Sequence, residues 1–160
     1  MIILALVAVL LTVVLGCLMA GTFFGFSVSV IPGLDAIDPT EAVRAMQSMN
    51  EKILNPLFLT AFVGVPLAAA GAGALLLSMG HRAAGVLFLV AAAVYVFGVF
   101  MPTGAVNVPM NDVLAAATPS PEAWADFSGR WARWNALRTV ASTATVVLAA
   151  LGIHLWRQGR

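Results

Sequence analysis

The chain reads as an all-α membrane protein, a bundle of four transmembrane helices, and three observations predict it. Of its 160 residues 61% are apolar and only 9% charged, where soluble domains carry roughly 25% charged residues. Treating Asp, Glu, Lys and Arg as breaks leaves four uncharged stretches of at least 18 residues, 1 to 34, 53 to 81, 83 to 111 and 139 to 156. A hydrocarbon core of about 30 Å needs about 20 apolar residues per helix, so each stretch spans once, the last with help from its flanks. One membrane-embedded domain, residues 1–160, holds all four spans.

The first span is expected from Ile2 to Val30, stopped by the breaker pair Pro32-Gly33 and the polar segment Asp35 to Thr40. Val14-Leu15-Gly16-Cys17 looks like a lipoprotein cleavage box. No Lys or Arg precedes the apolar run, however, and hydrophobicity continues past Cys17 through Phe23, Phe24 and Phe26, which favours an uncleaved span. Asp38-Pro39-Thr40-Glu41 is a helix start, with an N-cap, a first-turn proline and an acid at the positive dipole end. Val43, Met46, Met49, Ile53 and Leu57 then recur at three- and four-residue steps, predicting one helix from Pro39 to Met79 with kinks near Pro56 and Pro66. Such a helix is about 60 Å long at 1.5 Å per residue, so its first turns project from the bilayer.

A turn at Gly80-His81-Arg82 leads to the third span, Ala83 to Met101, with Pro102-Thr103-Gly104 as its expected terminator. The stretch Ala105 to Ser120 is expected to carry only a short helix, Asp112 to Ala117, capped by Asn111. Ser120-Pro121-Glu122 starts the last helix, which ends near Trp156. Trp124, Phe127, Trp131, Trp134 and Arg138 share one of its faces. Helices 2 and 4 therefore project beyond the bilayer.

Both termini and the His81-Arg82 turn fall on one side, and all seven acids on the other. Counting Lys and Arg nominally places the acidic side in the cytoplasm, yet most of its cations sit within helices beside acids, whereas the tight turn and the tail carry bare positive charge. Cytoplasmic termini in the plasma (inner) membrane are the favoured arrangement. Gly16, Ala20, Gly21 and Gly25, and the run Ala68 to Ala74, supply small residues for close helix packing; a homo-oligomer seam on Gly21 and Gly25 is the alternative use.

Global numbers close other classes. A formal charge of +1 leaves no basic surface for nucleic acid. The single cysteine, Cys17, removes internal disulfides and thiolate clusters. His81, His154 and Cys17 have no recognised metal or haem spacing, and no phosphate loop, nucleophile elbow or HExxH motif occurs.

Polar residues near hydrocarbon are costly, so their placement is informative. Asn50, Glu51 and Asn55 lie at one end of helix two, Asn107 and Asn111 follow helix three, and Trp134, Asn135 and Arg138 enter helix four, all toward one membrane face. Arg138 needs an anionic or carbonyl partner, and Glu51 lies at a matching depth. One reading makes these a structural ion pair with asparagines satisfying backbone groups. The other is a polar pocket capped by the aromatic face of helix four, including Trp131 and Trp134, suited to a flat amphipathic molecule. Interfacial tryptophan belts account for part of that stripe.

The Gly- and Phe-rich end of the first helix before Pro32, Met49-Asn50-Glu51 to Asn55-Pro56, Asn107-Val108-Pro109-Met110-Asn111, and Trp134-Asn135-Ala136-Leu137-Arg138-Thr139 together resemble the anthrone oxygenase-like family of small four-span membrane proteins. The resemblance covers most of the chain. It implies oxidation of polyketide anthrones to anthraquinones with no metal or flavin cofactor, in a protein whose partners are the lipid bilayer and an apolar or aromatic small molecule. On that basis Glu51 and Arg138 are the candidate catalytic residues, Glu51 taking a proton and Arg138, with Asn107, Asn111 and Asn135, holding the oxyanion. Asn50, Asn55, Asn107, Asn111, Trp131, Trp134 and Asn135 are the candidate substrate-binding set. The competing class is a non-enzymatic membrane accessory or hydrophobic small-molecule binding protein.

Overall fold

The computed structural model describes residues 1–158 and contains five helices: α1, Ile2–Asp35; α2, Pro39–Lys52; α3, Pro56–Ser78; α4, Arg82–Ala116; and α5, Pro121–Gln158. α1, α3, α4 and α5 are long and apolar enough to cross a membrane, and the chain is an integral membrane protein. Each packs against its neighbour in sequence, and α5 closes the ring on α1, so α1 faces α4 and α3 faces α5 across the diagonals. Both described chain ends and the turn at Gly80, whose φ of +85° lies where glycine is favoured, occupy one end of the bundle. The opposite end, the head, carries α2, laid against α5 and the final turns of α1 and α4.

The expected breaker segments do not break the helices. α1 runs through Pro32-Gly33 to Asp35, and α4 runs through Pro102-Thr103-Gly104 and Pro109 to Ala116, so Asn107 to Asn111 is helix and Asn111 caps nothing. Each of these prolines is preceded by one wide turn: Ile31 N–H donates to Phe26 O, Met101 N–H to Val96 O and Val108 N–H to Thr103 O. A proline lacks its own N–H and crowds the carbonyl four residues back; widening the turn just ahead of it relieves the crowding and keeps the other backbone groups bonded.

The projecting second helix, conversely, is two helices. Asn55 sits in extended backbone (φ −109°, ψ 159°), its Oδ1 accepts from Phe58 N–H at 3.0 Å, and Pro56 takes the first helical position, so α3 begins there and Pro56 makes no kink. The Asn55 amide also donates to Lys52 O at 3.0 Å, closing α2. Asp38 caps α2 through Thr40 N–H and Glu41 N–H, and Ser120 Oγ receives Ala123 N–H at the start of α5, both as the sequence predicts.

Three apolar layers stack along the axis. Ala5, Leu76, Phe88 and Trp156 pack near the termini; Met19, Phe62, Tyr95 and Val99 fill the middle; Met46, Leu114, Trp124 and Phe127 fill the head. Gly21 and Gly25 touch nothing that a Cβ would meet, so they serve no packing contact within the chain, whereas at Gly98 an added Cβ would lie 2.4 Å from Ala141 Cβ. α4 and α5 therefore touch nearly backbone to backbone just below the head. Gly98→Val should force them apart and cost about 1–3 kcal/mol, read as a lower melting temperature in detergent. Gly129→Ala, in α5 with open space around it, should be neutral or stabilising by up to about 1 kcal/mol.

Candidate functional site

A cavity of about 630 Å³ lies in the head, between the apolar middle layer and the aromatic one. Its walls are Phe23 and Phe26 of α1, Thr103, Asn107 and Asn111 of α4, and Trp131, Asn135 and Arg138 of α5. Gln47, Asn50 and Glu51 of α2 form the roof, and Leu54 and Phe58 flank the start of α3. The roof is tied down. Gln47 donates to the carbonyls of Leu114 and Ala117 at 2.8 and 3.1 Å, and Trp124 Nε1 donates to Asp35 Oδ1 at 2.9 Å, fastening α2 to α4 and α5 to α1.

Arg138 is the centre of the arrangement and is only 5% exposed. One guanidinium nitrogen donates to Thr103 Oγ1 at 3.3 Å and the other to Asn135 Oδ1 at 3.0 Å. The guanidinium carbon stands 4.6 Å from the Phe23 ring centre and 5.2 Å from that of Trp131. Cation–π contacts of this kind are worth about 2 kcal/mol when desolvated, less than the several kcal/mol needed to bury a charge. Among the described residues no carboxylate lies within salt-bridge distance of Arg138, and its Nε has no hydrogen-bond partner.

The expected Glu51–Arg138 ion pair is thus not formed. Glu51 sits on the last turn of α2 with its side chain 72% exposed and pairs with Lys52 Nζ at 2.6 Å. That hydrogen bond and the adjacent positive charge hold the Glu51 carboxyl below its ordinary pKa. Glu51 still lines the cavity, at its outer rim.

Asn135, completely buried, orients the guanidinium. Its amide nitrogen donates to Phe23 O and to Ser27 Oγ, each at 2.8 Å, so its oxygen is left facing Arg138. Ser27 in turn meets Thr139 Oγ1 at 3.2 Å. Asn111 Oδ1 accepts from Trp131 Nε1 at 2.9 Å and fixes that ring, which also rests against Phe26 and Phe127.

Asn107 differs from both. It is 1% exposed and lines the cavity, and among the described residues neither its amide nitrogen nor its oxygen has a partner. Asn50 also lines the cavity with a buried, unpartnered amide nitrogen. Of the sequence candidates, Asn50, Glu51, Asn107, Asn111, Trp131, Asn135 and Arg138 are brought together. Asn55 is an exposed helix cap and Trp134 is half-buried, and neither lines the cavity.

Thr103, Phe23, Phe26 and Gln47 belong to the site without having been singled out. For Thr103 a signal exists: Val99, Thr103, Asn107 and Asn111 recur every four residues straight through Pro102 and Pro109, the spacing of one helix face. Among the described residues no three His, Cys, Asp or Glu side chains gather in a way that could hold a metal ion.

Asn135→Leu should leave Phe23 O, Ser27 and the guanidinium short of partners at once. The expected cost is about 1–3 kcal/mol, visible as a lowered melting temperature, and Thr139→Val, at the edge of the same network, should cost less.

A sequence model of the anthrone oxygenase family matches residues 44–148, about two thirds of the chain. No curated protein and no solved structure matches. The matched region runs from α2 to α5 and contains the polar and aromatic residues that these helices give the cavity, among them Gln47, Asn50, Glu51, Asn107, Asn135 and Arg138. This four-span membrane protein belongs to the anthrone oxygenase family.

Proposed function

We propose that the head cavity binds a flat phenolic ketone of the anthrone type and promotes its oxidation by dioxygen. The observation that carries the reading is Arg138, a guanidinium buried between two aromatic rings with no opposing charge. A cation in that setting favours whatever places negative charge beside it, and an enolate does so when its parent ketone loses a proton. The aromatic walls accept a planar ring system, and the volume of about 630 Å³ falls within the usual range for small-molecule sites.

The chemistry balances with dioxygen as sole co-reactant. Proton loss from the ring CH₂ gives the enolate, whose oxygen Arg138 holds. The enolate passes one electron to dioxygen, and the resulting carbon radical and superoxide combine and take up a proton to give a hydroperoxide. Loss of water from the hydroperoxide leaves a second ring carbonyl, so one oxygen atom enters the product and the other leaves in water. Dioxygen is reduced at the expense of the substrate carbon.

Glu51, at the rim, is the carboxylate assigned to take the proton, and Asn135 positions Arg138. With Lys52 depressing its pKa, Glu51 stays ionised, and therefore able to accept a proton, to a pH below the ordinary carboxylate range. Lys52→Gln should raise the Glu51 pKa and move the acid limb of the rate profile to higher pH, whereas Glu51→Gln should remove that limb together with most of the rate. An unmoved limb in Lys52→Gln would clear Glu51 of the role.

Oxygen uptake and quinone absorbance with purified protein and anthrone in detergent test the whole reading. Arg138→Gln should lower kcat/KM by about 10²–10³-fold, the size of losing an oxyanion donor. It should not lower the melting temperature, because it removes a desolvated charge that has no opposing charge, and a glutamine amide can still meet Asn135 or Thr103. Equal rates in the two proteins would overturn the assignment. Binding of anthrone without oxygen uptake would place the protein in the non-enzymatic binding class.

A further inference from the structure

Arg138 accounts for one oxygen of a ligand, and the cavity holds a second polar group that nothing in the protein uses. Asn107 ends the wide turn Thr103–Asn107, packed 1% exposed into the cavity wall, and both atoms of its amide lack partners. Two neighbouring asparagines are engaged, Asn135 by Phe23, Ser27 and Arg138 and Asn111 by Trp131, and Asn50 in the roof is only half-buried, with its amide nitrogen alone buried and unpartnered. A buried amide left unpaired on both sides costs stability, and because this one lines the cavity a bound group from outside the chain can pair with it.

We infer that Asn107 is a specificity-determining residue that hydrogen-bonds a hydroxyl group on the ligand, distinct from the oxygen held by Arg138. An amide offers a donor and an acceptor side by side, and a hydroxyl is the group that uses both. Thr103, which holds Arg138, and Asn107 bound the same wide turn of α4 and both line the cavity. The two polar contacts therefore come from different helices, Arg138 on α5 and Asn107 on α4, and the ligand class is a planar ketone carrying a hydroxyl elsewhere on its ring system. This deepens the reading of the cavity as a ligand site and does not depend on the oxidation step.

The test uses anthraquinone and 2-hydroxyanthraquinone, which lack the oxidisable CH₂, so binding is separated from turnover. Affinities are read from quenching of tryptophan fluorescence in detergent, below the pKa of the phenol. Wild-type protein should prefer the hydroxylated compound by about tenfold, the worth of one buried hydrogen bond. Asn107→Leu should abolish that preference and raise the melting temperature, since an orphaned amide gives way to an apolar side chain. A merely structural Asn107 would do the opposite, losing stability and keeping the preference, and that result overturns the inference. Asn107→Ser, a smaller change, should also lose most of the preference; retention of the full ratio in both variants overturns it as well. If wild-type protein binds both compounds equally, Asn107 is not a selector although the cavity is a ligand site. If it binds neither compound, the cavity reading and this inference fall together.

Discussion

The constraint on which the head of the bundle depends is a positive charge held out of water with no negative charge to meet it. Burying a guanidinium with no opposing charge costs several kcal/mol, and the structure offsets this with neutral groups: the oxygens of Thr103 and Asn135 and the ring faces of Phe23 and Trp131. Each of these is itself held. Asn135 is committed through its nitrogen to α1, so only its oxygen can turn toward Arg138. Thr103 donates its own hydrogen to Val99 O at 2.7 Å, which leaves its oxygen lone pairs for the guanidinium. Below lies the apolar layer of Met19, Tyr95 and Val99. The field of the charge is thereby directed into the cavity, the one side where the low-dielectric packing opens.

The wide turns make that geometry reachable. Ser27 lies within the first, and Thr103 and Asn107 bound the third, so three of the polar groups around Arg138 and its cavity are delivered by turns that depart from regular α geometry. A regular helix advances each residue by 100°, and one extra residue per turn rotates everything beyond it. The prolines that follow make these turns the favourable local solution rather than a transient distortion. The contact of Gly98 with Ala141 then sets the separation of α4 and α5 one turn short of Thr103, close enough for its hydroxyl to meet an arginine on the facing helix.

Hydropathy made the spans legible because the cost of burying charge in hydrocarbon is large and uniform, and the collection of polar residues at one end was legible for the same reason. Helix ends were not. Pro32-Gly33 and Pro102-Thr103-Gly104 read as helix stops because a proline removes a backbone bond; here a wide turn just ahead of each proline keeps the other backbone groups bonded, and the helix continues through them. Asn55-Pro56 was misread in the other direction, as a kink, although a capping residue followed by a first-turn proline is a helix start. Glu51 and Arg138 show why depth is insufficient. Matching depth suggested a pair, but pairing also needs matching azimuth, and the break at Ile53 to Asn55 leaves Glu51 on the outer edge of α2 beside Lys52 while Arg138 points inward. That Asn107 leaves both atoms of its buried amide without a partner among the described residues is beyond sequence reasoning, because it follows from which amides find partners across three helices.

The length of α3 explains why a cavity exists at all. Its 23 residues span about 35 Å, close to the hydrocarbon thickness, whereas the 34, 35 and 38 residues of α1, α4 and α5 reach about 50–57 Å. Three helices therefore continue past the point where the fourth begins, and the fourth corner of the head is left to the shorter, separately oriented α2. A helix laid over a missing corner covers it without filling it, and the remainder is the cavity. The same arithmetic sets its level: it opens above the start of α3, where exposed Leu54 and Leu57 adjoin the charged Glu51 and Arg44. Apolar side chains below and charged ones above mark a boundary between lipid and water, and Arg138 lies inward of that boundary, screened from both. The position that the fold can hollow out is therefore one that an amphipathic planar molecule, the ligand class proposed, would reach from the bilayer surface.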